Sequence, residues 1–381
     1  MRFIFLISFL LLASCSQLQN KEVSREFNFK KKWARSTLQT DYLGYKRLHR
    51  MPPLVTKDLV IVSNAVDGMV AYDRKRAYKV WTFKVKGGVE AGAELVGDNL
   101  FFGASDGHFY SLNVLNGKIN WSFPIRSEGL SKPLVNQGVV YFIAGNNVAY
   151  ALNSSNGQKI WLYNRLDSTN LSIRGGSQPA AYGNKIILGF SDGFVVALNI
   201  NTGQMAWEKP LNSNKRFRDV DSSPTVENDR IYVASFDDSL YCLNVKDGSE
   251  IWKVNEGGFY AITLFEDSLF YSTSTGKLLA LDKKSGKELW SRELKHGMGT
   301  KPTVHKGLLI IGETEGSLKA LDTKTGDLIG EYKSGAGISS EVVIKDFNDG
   351  FGNVYFLTKQ ANLFVLDMGW RNKENWKWLT Y

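Results

Sequence analysis

Asp106-Gly107-His108-Phe109-Tyr110-Ser111-Leu112-Asn113-Val114-Leu115-Asn116-Gly117-Lys118-Ile119-Asn120-Trp121 is the stretch on which the reading of the fold turns. It holds a Gly turn, an alternating run ending in Leu-Asn, a second Gly turn and a run that reaches Trp. Alternation of period two between Gly turns describes antiparallel hairpins. The same pattern recurs as Ala197-Leu198-Asn199, Gly203, Trp207 and as Ala280-Leu281-Asp282, Gly286, Trp290. An apolar run precedes each first turn, as in Leu100 to Ala104, Lys185 to Phe190 and Ile231 to Ser235. Trp33, Trp81, Trp121, Trp161, Trp207, Trp252 and Trp290 follow one another at 48, 40, 40, 46, 45 and 38 residues, so the unit is repeated along the chain.

A four-stranded meander repeating at this period is the signature of a β-propeller blade. Tyr72-Asp73, Leu112-Asn113, Leu152-Asn153, Leu198-Asn199, Leu243-Asn244, Leu281-Asp282, Leu321-Asp322 and Leu366-Asp367 mark eight of them. The expected fold class is therefore all-β, an eight-bladed β-propeller with quinoprotein-like repeats. Gly330 stands where the seventh repeat should have Trp, and the eighth repeat runs out after Asp367, while Trp33 precedes the first full repeat. The strand around Trp33 is expected to close the ring by joining blade eight, which leaves no blade unpaired with its neighbours. An indole at a fixed repeat phase is expected to pack between blades. Cys242 shares the small-residue phase of Ala71, Ser111, Ala151, Ala197, Ala280 and Ala320, a core position.

Pro53, Pro133, Pro179, Pro224 and Pro302 each lie 28 residues before the Trp position of their blade, so the blade body has constant length. Variation is confined to the connection from an outer strand to the innermost strand of the next blade. That interval is 12 residues for Trp121 to Pro133 and for Trp290 to Pro302, but 18 for Trp161 to Pro179 and 17 for Trp207 to Pro224; Trp33 to Pro53, at 20, is also long, and there ring closure is an explanation. Two neighbouring blades thus carry extended loops on one face of a rigid scaffold, where binding tends to reside. These loops contain Leu171-Ser172-Ile173-Arg174-Gly175-Gly176-Ser177 and Arg216-Phe217-Arg218-Asp219-Val220-Asp221-Ser222-Ser223. Arg174 and Asp219 each stand five residues before their Pro and are expected side by side. They read either as a structural ion pair or, with Leu171, Ile173 and Asp221, as the apolar anchor and charged rim of a protein interface.

At 381 residues, 43% hydrophobic and 22% charged, the composition is that of a globular chain and excludes disorder as the main state. Lys and Arg number 47 against 38 Asp and Glu, a net charge of +9 that favours anionic partners only weakly, because the basic residues are spread along the chain. Residues 1–14, with Arg2 ahead of the apolar run Phe3 to Leu12, have the layout of a secretory signal and are too short to span a bilayer. The run ends Leu12-Ala13-Ser14-Cys15, which resembles a bacterial lipoprotein signal in which Cys15 becomes the lipidated N-terminus. The domain expectation is a signal over 1–14, a linker over 15–28, the propeller over 29–370 and an aromatic, basic tail over 371–381.

The two loop motifs, in this order and in these blades, resemble the BamB family, lipoprotein propellers of the outer-membrane β-barrel assembly (BAM) machinery. The resemblance runs from Trp33 to about Asp367 and includes the lipoprotein signal. It implies a non-enzymatic scaffold on the periplasmic face of the outer membrane, anchored by lipid at Cys15, whose Ser16 neighbour fits outer-membrane sorting. It further implies docking to a POTRA domain of BamA through Leu171, Ile173, Arg174, Asp219 and Asp221, and a part in the folding and insertion of nascent β-barrel proteins. Ile173 stands where the family has Leu, which preserves the apolar contact. The rival readings are a pyrroloquinoline-quinone (PQQ) dehydrogenase, whose repeats look similar, and a polysaccharide-binding propeller. His49, His108, His296 and His305 show no metal-ligand spacing, no triad stands out, and the two cysteines, Cys15 and Cys242, form no framework, so no catalytic residue, cofactor or metal is expected. The export signal argues against nucleic acid.

Overall fold

Alternating apolar residues between Gly turns can bury one face of each hairpin only by stacking sheet on sheet, and the chain does so around a ring. The computed structural model describes residues 25–38, 49–165, 176–211, 220, 222–236, 239–347 and 350–372. Among these, thirty-two strands, numbered β1 to β32 along the chain, form eight four-stranded sheets and no helix occurs. The second blade is typical: β6 (Glu94–Val96), β7 (Asn99–Gly103), β8 (His108–Asn113) and β9 (Ile119–Pro124) pair in chain order, each antiparallel to the last. Eight apolar clusters fill the blades and the gaps between them, so the core is a belt rather than a single centre.

The eight-bladed expectation holds, and so does closure by the N-terminal strand. β1 (Arg25–Ser36) pairs antiparallel with β32 (Asn362–Asn372) as the outer strand of the last blade. Trp33 faces Val365 there, as Trp121 faces Ser111 and Trp161 faces Ala151 in their own blades. Each of these pairs sits at a bulge, and Cys242 opposite Trp252 belongs to the same series. A small side chain across the bulge leaves room for the indole, which explains the phase shared by the alanines and Cys242.

The indoles pack between blades as expected. The Nε1–H of Trp33, Trp81, Trp121, Trp161, Trp207 and Trp290 donates to a carbonyl of the next blade's outer turn, at 2.9 to 3.1 Å. Trp252 is the exception. Its Nε1–H is buried without a partner among the described residues, while the corresponding carbonyl, that of Lys283, accepts from the Tyr232 hydroxyl at 3.0 Å and from Arg230 at 3.3 Å. The turn glycine beneath Trp81, Trp121, Trp161, Trp207, Trp252 and Trp290 is required twice over, while the corresponding turn position of the first blade, beside Trp33, is Ala77. Gly157 has φ of 72°, and a Cβ there would lie 2.5 Å from the Trp121 ring.

Pairing of β1 with β32 continues from Ser36 and Asn362 outward to Arg25 and Asn372, past the expected boundaries of 29 and 370. The extension has a packing reason. Gly330 in β29 (Leu328–Tyr332) leaves the space that a Trp would fill, and Phe27 enters it, 2.9 Å from where a Cβ on Gly330 would stand. Phe27 in turn meets Phe29, Phe351 and Trp370 edge to face, with centroids at 5.4 to 5.7 Å. Restoring the repeat consensus with Gly330→Trp is therefore expected to destabilise the ring by about 1–3 kcal/mol through overpacking. Chemical unfolding of the purified variant measures it, and a higher midpoint than wild type would contradict the assignment of Phe27.

Candidate docking face

Five proline-phase segments lead directly into the first strand of their blades, as Pro179 does into β14 (Ala180–Tyr182) and Pro224 into β18 (Thr225–Glu227). Residues from four of these segments and from the equivalent segments of three other blades, among them Pro52, Gly92, Lys132, Gln178 and Tyr260, line one narrow cavity, which places them on the ring axis. The connections that reach them all leave from the ends of outer strands, so they share one face with the turns between second and third strands.

Leu171, Ile173, Arg174, Asp219 and Asp221 lie outside the described residues, as do Cys15 and the tail from 373 to 381. The flanks of both loops are described, and they meet. Ser177 Oγ donates to the Ser222 carbonyl at 3.3 Å, and the Gln178 N–H donates to Ser223 Oγ at 2.9 Å. Gly176 sits so close to the third blade that a Cβ would stand 2.9 Å from the Ser131 nitrogen. Val220 is 1% exposed, and its N–H donates to the Phe190 carbonyl at 3.1 Å. Its carbonyl in turn leaves no room for a Cβ on Gly189. The Asp219-Val220-Asp221 motif is thus pinned at its centre to the fourth blade, which the other long loop enters after β13 (Lys159–Asn164).

Arg165 holds the start of that loop. Its guanidinium pairs with Asp192 and, at 2.7 Å, with Glu208, and stacks 4.3 Å from the Phe194 ring centre. Burial works against its charge, but the hydrogen bonds it donates to Glu208 and Asp192 outweigh that and hold the group protonated. Sequence reasoning passed over Arg165, and over Val220, whose N–H makes the bond that Val89, Gly129, Gly258 and Ile338 make at the same phase of their blades. It also passed over a signal that was readable: a hydroxyl two residues before the proline, at Ser131, Ser177, Ser222 and Thr300, each buried. Ser131 Oγ shows what it does, donating to the Ile143 carbonyl at 2.9 Å and accepting its N–H at 3.0 Å. That exchange ties the entering segment to the second strand.

Farther round the same face, a cavity of about 380 Å³ is lined by Phe236, Phe259, Tyr260 and Met298 with Arg50 and Lys359 at hand. Arg50 lies 4.7 Å over the Phe259 ring, and burial pushes the Tyr260 hydroxyl up to about 12. Among the described residues, no group of three His, Cys, Asp or Glu stands close enough to hold a metal ion.

His49 locks the seam between the first and last blades. Its Nδ1 accepts the Ala65 N–H at 3.1 Å, and its carbonyl accepts Ser339 Oγ at 2.7 Å. Burial lowers its pKa from 6.5 to about 4, against an opposing pull from Asp67. The unfolded chain therefore binds the proton first as pH falls. The neutral seam contributes fully above pH 6.5, weakens below it, and has lost about 3 kcal/mol once pH passes about 4. His49→Asn, which keeps an acceptor for Ala65, is expected to show a smaller loss of unfolding free energy between pH 7.5 and 4.5 than wild type. Equal losses would remove His49 as the cause.

Comparison with known proteins decides the family. The family model described as outer membrane protein assembly factor BamB matches residues 66–292, more than half of the chain. This chain belongs to the BamB family. The outer membrane protein assembly factor BamB of Shewanella oneidensis is 29% identical over 318 residues, covering 78% of this chain and 80% of the relative. The crystal structure of BamB from Moraxella catarrhalis superposes with a TM-score of 0.74 at 18% identity, covering 89% of this chain and 99% of that one. A quinohemoprotein alcohol dehydrogenase from Pseudomonas putida superposes with a TM-score of 0.73 at 12% identity, covering 91% and 77%, a likeness of fold alone. The BamB propeller and the quinoprotein propeller thus share architecture.

Proposed function

We propose that this chain is a non-enzymatic scaffold of the outer-membrane protein assembly machinery that docks on a POTRA domain of BamA. The docking residues are Leu171, Ile173 and Arg174 from one loop and Asp219 and Asp221 from the next, aiding the folding and insertion of nascent β-barrel proteins. Membership in the BamB family supports the role. The observation that carries the site is the direct hydrogen bonding of the two loop flanks, Ser177 to Ser222 and Gln178 to Ser223, which brings the loop ends of neighbouring blades together. Residues 1–14 are removed, and Cys15 carries the lipid that holds the protein on the periplasmic leaflet of the outer membrane.

Interfaces of this kind derive affinity from a few apolar anchors and specificity from the charges around them. Leu171 and Ile173 supply the first, and Arg174, Asp219 and Asp221 the second. Affinity purification of the protein from a membrane extract, with mass spectrometry of the retained proteins and of the N-terminal peptide, tests both halves. BamA among the retained proteins and acyl chains on Cys15 are the expected results. A folded bait that retains no BamA would refute the docking role, and an unmodified Cys15 would refute the anchor.

A further inference from the structure

The net charge of +9 looks dispersed in sequence, but the fold gathers it. Residues 25–36 and 74–86 hold eleven Lys and Arg against one acidic residue, Glu26, a net of +10 where the entire chain has +9. The remainder of the protein is therefore close to neutral. These two segments are the outer strand of the last blade and the outer turn and strand β5 (Lys79–Lys84) of the first. Ring closure sets them side by side. Trp33 Nε1–H donates to the Arg74 carbonyl at 3.1 Å, Arg35 Nε–H to the Ala77 carbonyl at 3.0 Å, and the Tyr72 hydroxyl to the Ser36 carbonyl at 3.0 Å. Lys30, Lys31, Lys75, Arg76 and Lys79 are all exposed, and none has a carboxylate partner among the described residues.

We infer that this edge is a docking surface for anionic phospholipid headgroups. Charge complementarity is the first argument, since clustered basic side chains near a bilayer gain from its negative surface potential. Two large aromatics stand in the same region, Trp370 at 48% exposure, paired with Phe27 of β1, and Tyr78 at 51%. Trp and Tyr favour the headgroup level. The third argument is where the chain ends. Arg25 and Asn372 are paired, so both termini leave the ring at this edge. Ten residue steps separate Arg25 from Cys15, a reach of at most about 35 Å. This last point rests on the proposed lipid anchor, and the orientation follows from it. β1 enters at Arg25 and runs toward the connection that begins at Thr37 on the loop face, so the anchored, basic end lies opposite the docking loops. The lipid and the basic edge together hold the ring with its loop face turned away from the bilayer.

Vesicle co-sedimentation of the chain from Ser16 onward tests the inference. Among the described residues the eight sheets begin at Arg25, and without Cys15 no lipid anchor forms. With vesicles of phosphatidylcholine containing about 30% phosphatidylglycerol at low salt, binding is expected to be at least about tenfold stronger than with phosphatidylcholine alone, and to disappear near ~0.5 M salt. Lys31→Glu, Lys75→Glu and Arg76→Glu together are expected to lower it at least about tenfold. Reversal of three exposed lysines on other blades, Lys118→Glu, Lys159→Glu and Lys246→Glu, serves as the control and should leave most binding intact. Equal pelleting with neutral vesicles, equal loss in the control, or binding to polyglutamate without binding to vesicles would each overturn the inference. The assay contains neither BamA nor a lipidated Cys15, so it succeeds or fails independently of the docking and anchor readings.

Discussion

Trp161→Ala is expected to lower the unfolding free energy by about 3–5 kcal/mol, the range for removing a large buried aromatic. Three separate contacts are lost. The indole is 7% exposed and lies against Gly203, close enough that a Cβ there would come within 2.8 Å of it. Its Nε1–H is the donor to the Ile200 carbonyl at 2.9 Å, and that carbonyl also receives the Tyr141 hydroxyl at 3.3 Å. Its ring faces Tyr141 at 5.8 Å and stands across from Ala151. The neighbouring blades cannot collapse into the space, because the turn that holds Gly203 is set by its own capping bonds to Asn199. Guanidinium unfolding followed by circular dichroism gives the number, and a loss under about 1 kcal/mol would mean that the indoles decorate the ring rather than join its blades.

The second large effect is on partner binding. Arg174→Ala is expected to weaken association with BamA by about 2–5 kcal/mol, the cost of truncating a charge that is desolvated on docking and leaving its counterpart unpaired. Arg165 and the Ser177–Ser222 and Gln178–Ser223 bonds hold the described flanks of the two loops. The double variant Arg174→Ala, Asp221→Ala, with unfolding behaviour like wild type, should fail to co-purify BamA. Undiminished co-purification would reject the site assignment while leaving the fold and the family as they stand.

The indole series shows what kind of information a repeat carries. A Trp, a small residue across the bulge and a Gly beneath the ring are local requirements, and most blades state them anew, so eight blades could be counted from the chain alone. Departures from the repeat behave differently. Gly330 reads as a gap, and nothing near it in sequence says what fills it; Phe27, some three hundred residues away, does so only once the ring has closed. Val220, by contrast, holds a repeat position, that of Val89, Gly129, Gly258 and Ile338, and there it is the buried pin between two aspartates proposed to face a partner.

By itself the sequence determined the class of fold, the number of blades, closure through Trp33 and which two connections are long, because these follow from periodic turns, strand alternation and proline spacing, all short-range properties. Only the tertiary structure decided which residues substitute at the imperfect blade, how the loop flanks are tied, and that two basic segments forty residues apart form a single edge. Those outcomes depend on contacts between the two ends of a closed ring, and circular closure makes neighbours of residues whose separation along the chain carries no periodic signal.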